Sequence, residues 1–95
     1  MDLEFTGPVW YWRGPAPFHF VTVPVDEADS IGEVAAHVTY GWGMVPVTVT
    51  IGVTSWSTSL WPKDDGYIVP LKADVRRAES IELDDVVTVR LGIGV

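Results

Sequence analysis

The chain has 95 residues, 47% of them hydrophobic and 20% charged, with thirteen acids against six bases and a formal net charge of −7. That length suits one domain, and the absence of cysteine excludes disulfides, thiol catalysis and cysteine metal sites. No apolar run approaches the roughly 18 residues of a membrane span, and the acidic balance opposes a nucleic-acid partner, whose affinity comes chiefly from cations that displace phosphate counterions.

The opening MDLEFTG carries an early acid and no basic-then-apolar signal pattern, so a cytoplasmic location is expected. LEFTGPVWYW (3–12) and FHFVTV (18–23) read as strands broken by the turn RGPAP. From Asp26, DEADSIGEVAAHV predicts a helix that Asp26 caps, with acids in its first turn and Ala28, Ile31, Ala35 and Val38 on its apolar face. Gly32 weakens that helix and YGWG ends it.

VPVTVTIGVT (45–54) alternates strictly, with Val45, Val47, Val49, Ile51 and Val53 on one side. It is followed by a second strand, SWSTSLWP. Gly52-Val53 fits a two-residue type II′ loop, which requires glycine only at its first position. That loop sets a register of Ile51 with Thr54, Val49 with Trp56, Val47 with Thr58 and Val45 with Leu60. Trp56 and Leu60 then share the apolar side, while Ser55, Ser57, Ser59 and Trp61 take the threonine side. In LKADVRRAE, Leu71, Val75 and Ala78 form a narrow stripe for one short helix, and VVTVRLGIGV is a last alternating strand.

The elements repeat. FHFVTVP, helix and VPVTVTI match GYIVPLK, helix and VVTVRLG, with Pro24 aligned on Pro70 and WYWRGPAP parallel to SLWPKDDG. In both units the proline is expected to end strand pairing and to suit a helix start.

The second unit is similar to the swapped-hairpin (AbrB-like) pattern at Pro70, Lys72, Val75, Arg76, Ile81, Asp85, Val87 and Val89. Nearly the whole chain resembles a bacterial domain-of-unknown-function family, number nineteen-oh-five. The resemblance rests on FVTVP, VPVTVTIG, WSTSLWP, GYIVPLK, VRRAE and Asp85. It implies a double-split β-barrel; together with the length, the patterning and the repeat above, the expectation is a mainly β fold with one or two short helices, a pseudo-two-fold internal repeat, and residues 1–95 as a single domain. It brings no established activity; some relatives carry a second domain linked to bacteriocin protection. Two departures stand out. Asp84 replaces a favoured glycine, where it tolerates a left-handed turn, and AAHVTYGWG lacks arginines expected before its glycine-aromatic-glycine.

The function expected is a non-enzymatic module that binds a small ligand or a protein partner, with Trp42, Trp61, Ser57, Ser59, Lys72 and Arg76 as candidate residues. Each has a plainer reading. The basic helix face is offset by Asp74 beside Arg77 and Glu79 beside Arg76, and Asp85 is a further partner for Arg76. Trp56 is a core residue, while Trp10 and Trp12, on one strand face, or Trp42, in a glycine loop, can flank a groove. The serines have no G-x-S-x-G, S-x-x-K or neighbouring histidine, so no catalytic residue is assigned. Asp64-Asp65-Gly66 and Asp84-Asp85 are turns, too few ligands for a metal, and no cofactor is implied. With both units in one chain a monomer is expected, and the alternative role is an AbrB-like DNA-binding regulator.

Overall fold

In the computed structural model, which describes residues 1–13, 18–38 and 43–94, the chain runs β1 (Asp2–Trp12), β2 (Phe18–Thr22), α1 (Val25–Val38), β3 (Val45–Ile51), β4 (Thr54–Lys63), β5 (Gly66–Leu71), α2 (Ala73–Ala78) and β6 (Val86–Ile93). The six strands close into a barrel in the order β1-β2-β5-β4-β3-β6. All neighbours are antiparallel. Closure in this order gives every strand two neighbours.

The two longest strands change partner part-way. β1 pairs with β6 over Asp2–Pro8 and with β2 over Val9–Trp12. β4 pairs with β3 over Thr54–Leu60 and with β5 over Trp61–Lys63. Two four-stranded sheets therefore share β1 and β4: sheet I, β1-β6-β3-β4, and sheet II, β1-β2-β5-β4. Exchanging β1 with β4, β2 with β5 and β3 with β6 reproduces every pairing, which is the pseudo-two-fold of the expected double-split barrel.

Alternation builds the core. β3 buries Val45, Val47, Val49 and Ile51, and β6 buries Val87, Val89, Leu91 and Ile93 in the same rhythm. The β3–β4 register is the one that the Gly52-Val53 loop dictates, and Gly52 has φ +59°. Ala28 and Ile31 of α1, Val75 of α2 and Ile81 after it join the core between the strands.

Several expectations are corrected in detail. α1 starts at Val25, so Asp26 lies in its first turn; the Pro24 carbonyl, not a side-chain cap, accepts the Ala28 N–H at 2.8 Å. The prolines are not equivalent. Pro24 precedes its helix directly, whereas Pro70 lies within β5 opposite Phe20, and the carbonyl accepting the matching α2 bond belongs to Lys72. Pro70 is tolerated because antiparallel pairs alternate. As a non-hydrogen-bonded partner of Phe20, its nitrogen points toward β4, whose pairing has already ended at Ile68. Leu71 is a buried strand residue and Ala78 is exposed, so the expected helical stripe reduces to Val75.

The charges settle differently as well. Arg77 donates to Asp74 at 2.7 Å as expected. Glu79 instead accepts from the Thr54 hydroxyl at 2.6 Å, and Asp85 accepts the Glu82 N–H at 2.8 Å, so neither holds Arg76. Asp84 does adopt the left-handed conformation, at φ 70°.

Candidate functional site

The outward face of sheet II departs from the polar exterior that an antiparallel barrel strand normally shows. Val9 and Val21 point inward, so their chain neighbours Trp10 and Phe20 point outward, as do Trp12 and Phe18. Pairing places Trp10 opposite Phe20, Trp12 opposite Phe18, Phe20 opposite Pro70, Thr22 opposite Ile68 and Ile68 opposite Trp61. Aromatic residues from three strands thus meet on one exterior surface.

Phe20 is the hub. Its ring centroid lies 5.1 Å from Trp10, 5.1 Å from Trp61, 6.0 Å from Phe18 and 6.1 Å from Trp12. It is 0% exposed although it points away from the barrel interior. Trp61 meets Phe18 edge-on at 5.4 Å and Trp12 at 6.5 Å. Tilted and edge-to-face pairs of this kind contribute about 0.5–1.5 kcal/mol each beyond area burial. Trp10 is fixed by an indole N–H bond to the Thr22 hydroxyl at 2.9 Å. Trp12 at the margin remains 44% exposed. The cluster forms its own small core outside the barrel and leaves an indole facing solvent.

Two of the surface hollows stand out, one beside this cluster and one away from it on sheet I. One lies between α1 and the β4–β5 turn, about 370 Å³, with Trp10, Ala28, Tyr67 and Ile68 among its lining and Asp29, Asp64 and Asp65 at its rim. The other is a shallow trough of about 710 Å³ on the outside of sheet I. Its rows follow the register: Asp2, Gly92 and Thr48, then Glu4, Arg90, Thr50 and Ser55. The absent side chain of Gly92 deepens its middle, and the Thr50 and Ser55 hydroxyls share a hydrogen bond at 2.7 Å.

The expected site residues are distributed over these features rather than gathered. Trp61 belongs to the aromatic face, and Ser57 lines a hollow continuous with the trough through Thr48 and Gly92. Ser59 stands between them on the same face of β4, opposite Pro46 and half-buried. Lys72 is exposed at the start of α2. Arg76 is half-buried, and its Nε has neither solvent contact nor an acceptor. Burial of His19, and secondarily the Arg76 charge, holds that imidazole below its usual pKa. Tyr11 packs edge-on against His19 at 5.0 Å. Trp42 lies outside the described residues. Trp56 packs against the core from the predicted side, but only half-buried and with an indole N–H that has no acceptor.

Phe18, Phe20 and Ile68 were missed as members of the site. The signal was present, since the alternations W-Y-W and F-H-F each put two aromatics on one face, and only the hairpin register shows that the two faces coincide. Among the described residues no group of three or more histidine, aspartate or glutamate side chains is arranged to hold a metal ion, and no helix is long and apolar enough to cross a membrane.

A family model described as a domain of unknown function (DUF1905) matches residues 5–91, a span that reaches from β1 to β6. The chain belongs to the DUF1905 family. The DUF1905 match includes Trp10, Trp12, Phe18, Phe20 and Trp61, and hence the whole aromatic face. No curated protein matches the chain significantly.

Proposed function

We propose that this DUF1905 chain is a non-enzymatic binding module and that the exterior aromatic face of sheet II is its recognition surface. One observation carries the reading: Trp10, Trp12, Phe18 and Trp61 surround an outward-pointing Phe20, where alternation alone would put polar side chains. Pre-stacked aromatic rings suit recognition, because they supply large contact area with little side-chain entropy left to lose. The ligand class is a molecule with a flat or apolar surface. Since both halves of the barrel come from one chain, the module acts as a monomer; light scattering that shows an obligate interlocked dimer would refute this.

The test is a fragment titration of the ¹⁵N-labelled chain, read at the tryptophan indole N–H and the backbone amide resonances. Saturable shifts are expected at Trp12 and Trp61, with Trp56 silent, and Trp12→Ala is expected to abolish them. Shifts confined to Thr48, Arg90 and Gly92 would transfer the site to sheet I, and no saturable shift at all would retire the reading. A DNA-binding role draws on the AbrB-like architecture and is opposed by the charge of −7 and by the pairing of Arg77 with Asp74. Salt-dependent binding of duplex DNA at physiological ionic strength would restore it.

A further inference from the structure

The hollow between α1 and the β4–β5 turn has a sharper chemical character than the rest of the aromatic face. Its wall and floor are apolar: Trp10 from β1, Ala28 from α1 and Ile68 from β5. Trp10 arrives pre-oriented, with Phe20 against its ring at 5.1 Å and its N–H held by Thr22. The rim is acidic, formed by Asp29 of α1 and by Asp64 and Asp65 of the turn. Among the described residues, the one cation lining the hollow, Lys63, is bonded to Asp64 at 2.9 Å. Asp29 and Asp65 have no ion pair among the described residues. Asp26, Glu27 and Glu33 add further negative charge on α1, which carries no lysine or arginine.

An apolar slot with an indole wall and an unneutralised carboxylate rim is complementary to a cation mounted on an apolar body. The ring face attracts the cation through its quadrupole, the carboxylates through charge, and the slot removes the body from water. The volume of about 370 Å³ lies at the small end of the range for small-molecule sites, roughly 300–1,000 Å³. We propose that this hollow binds a small organic ammonium ion, its apolar body on Trp10 and Ile68 and its charge between Asp29 and Asp65. The inference rests on the reading of sheet II as a binding face and names the chemistry of its occupant.

The experiment titrates the ¹⁵N-labelled full chain at low salt with phenethylammonium, phenethyl alcohol and 3-phenylpropanoate, and separately with a capped tetralysine peptide. The indole resonances of Trp10, Trp12 and Trp61 are followed. Saturable shifts at Trp10 are expected with phenethylammonium, about tenfold weaker binding with the alcohol, and none with the carboxylate. Asp29→Asn combined with Asp65→Asn should remove that preference, whereas Asp26→Asn combined with Glu33→Gln should leave it unchanged. The substituted carboxylates are exposed and outside the core, and an unchanged amide spectrum verifies folding.

Equal affinity for the ammonium and the alcohol would overturn the cation inference while leaving the aromatic-face reading intact. Cation-selective binding at Trp10 with Trp12 and Trp61 silent would uphold the inference and sink the broader face. Preference for the tetralysine peptide, weakened equally by both double variants, would overturn the inference in favour of a general acidic surface.

Discussion

Gly52 offers the sharpest quantitative test of how the two halves of the barrel are joined. It is the first residue of the β3–β4 loop, at φ +59°, and a Cβ built there would overlap the carboxylate of Glu79 just beyond α2. That carboxylate accepts the Thr54 hydroxyl at 2.6 Å, so one side chain from the second unit clasps the hairpin that leaves the first. Gly52→Ala should therefore carry two separable penalties. The left-handed backbone costs about 1–2 kcal/mol for an L-residue. Displacing Glu79 forfeits a hydrogen bond to a charged acceptor, about 1.5–3 kcal/mol. The sum is about 2.5–5 kcal/mol. At an m-value of roughly 1–1.5 kcal/mol/M in urea, this shifts the unfolding midpoint by about 2 M or more. Glu79→Ala removes the second penalty in advance, so Gly52→Ala in that background should cost only about 1–2 kcal/mol. The cycle is read by urea denaturation followed by far-ultraviolet circular dichroism. An identical cost of Gly52→Ala in both backgrounds would refute the clasp, and a cost below about 0.5 kcal/mol would refute the left-handed loop itself.

The other expectations concern the core, the orphaned indole and the one shifted histidine. Leu60→Ala, at a site with no solvent exposure, should cost about 2–5 kcal/mol in the same denaturation assay, since the barrel wall cannot close over the lost volume. Trp56→Phe should stay within about 1 kcal/mol of wild type, because the smaller buried area is offset by removal of an indole N–H that has no acceptor. A loss as large as that of Leu60→Ala would show the indole to be bonded. His19 should titrate, by NMR, below 6.5, and Arg76→Gln should raise its midpoint part of the way, because burial, the larger cause, persists. With its folded pKa depressed, the stability that neutral His19 contributes is present above 6.5 and is lost as pH falls through the folded value. A His19 midpoint at or above 6.5 would contradict the packing around it.

Much of the barrel was legible in the chain because period-two patterns are local. VPVTVTI and VVTVRLGI declare their buried faces residue by residue, and the Gly52-Val53 loop fixes the β3–β4 register without reference to anything distant. The misread details all depend on partners far along the chain. Pro70 looks like a strand terminator until β2 is placed beside it, and Arg76 looks like the natural partner of Glu79 until Thr54 takes that carboxylate. The candidate site suffered most: Trp61 was recognised, yet Phe20, the ring on which the cluster is centred, reads in sequence as one more strand aromatic.

The sequence by itself determined the strand-rich composition, the hairpin register, the two-unit repeat and the excess of acid, since each follows from residue type and short-range spacing. Only the tertiary structure decided which way the aromatics face and which carboxylates go unpaired. Those outcomes depend on β1 and β4 each serving two sheets, an arrangement set by barrel closure across the length of the chain. Once β2 and β5 pair at the pseudo-two-fold, Trp10, Phe20 and Trp61 meet outside the barrel, and Asp29 and Asp65 come to line one hollow beside them.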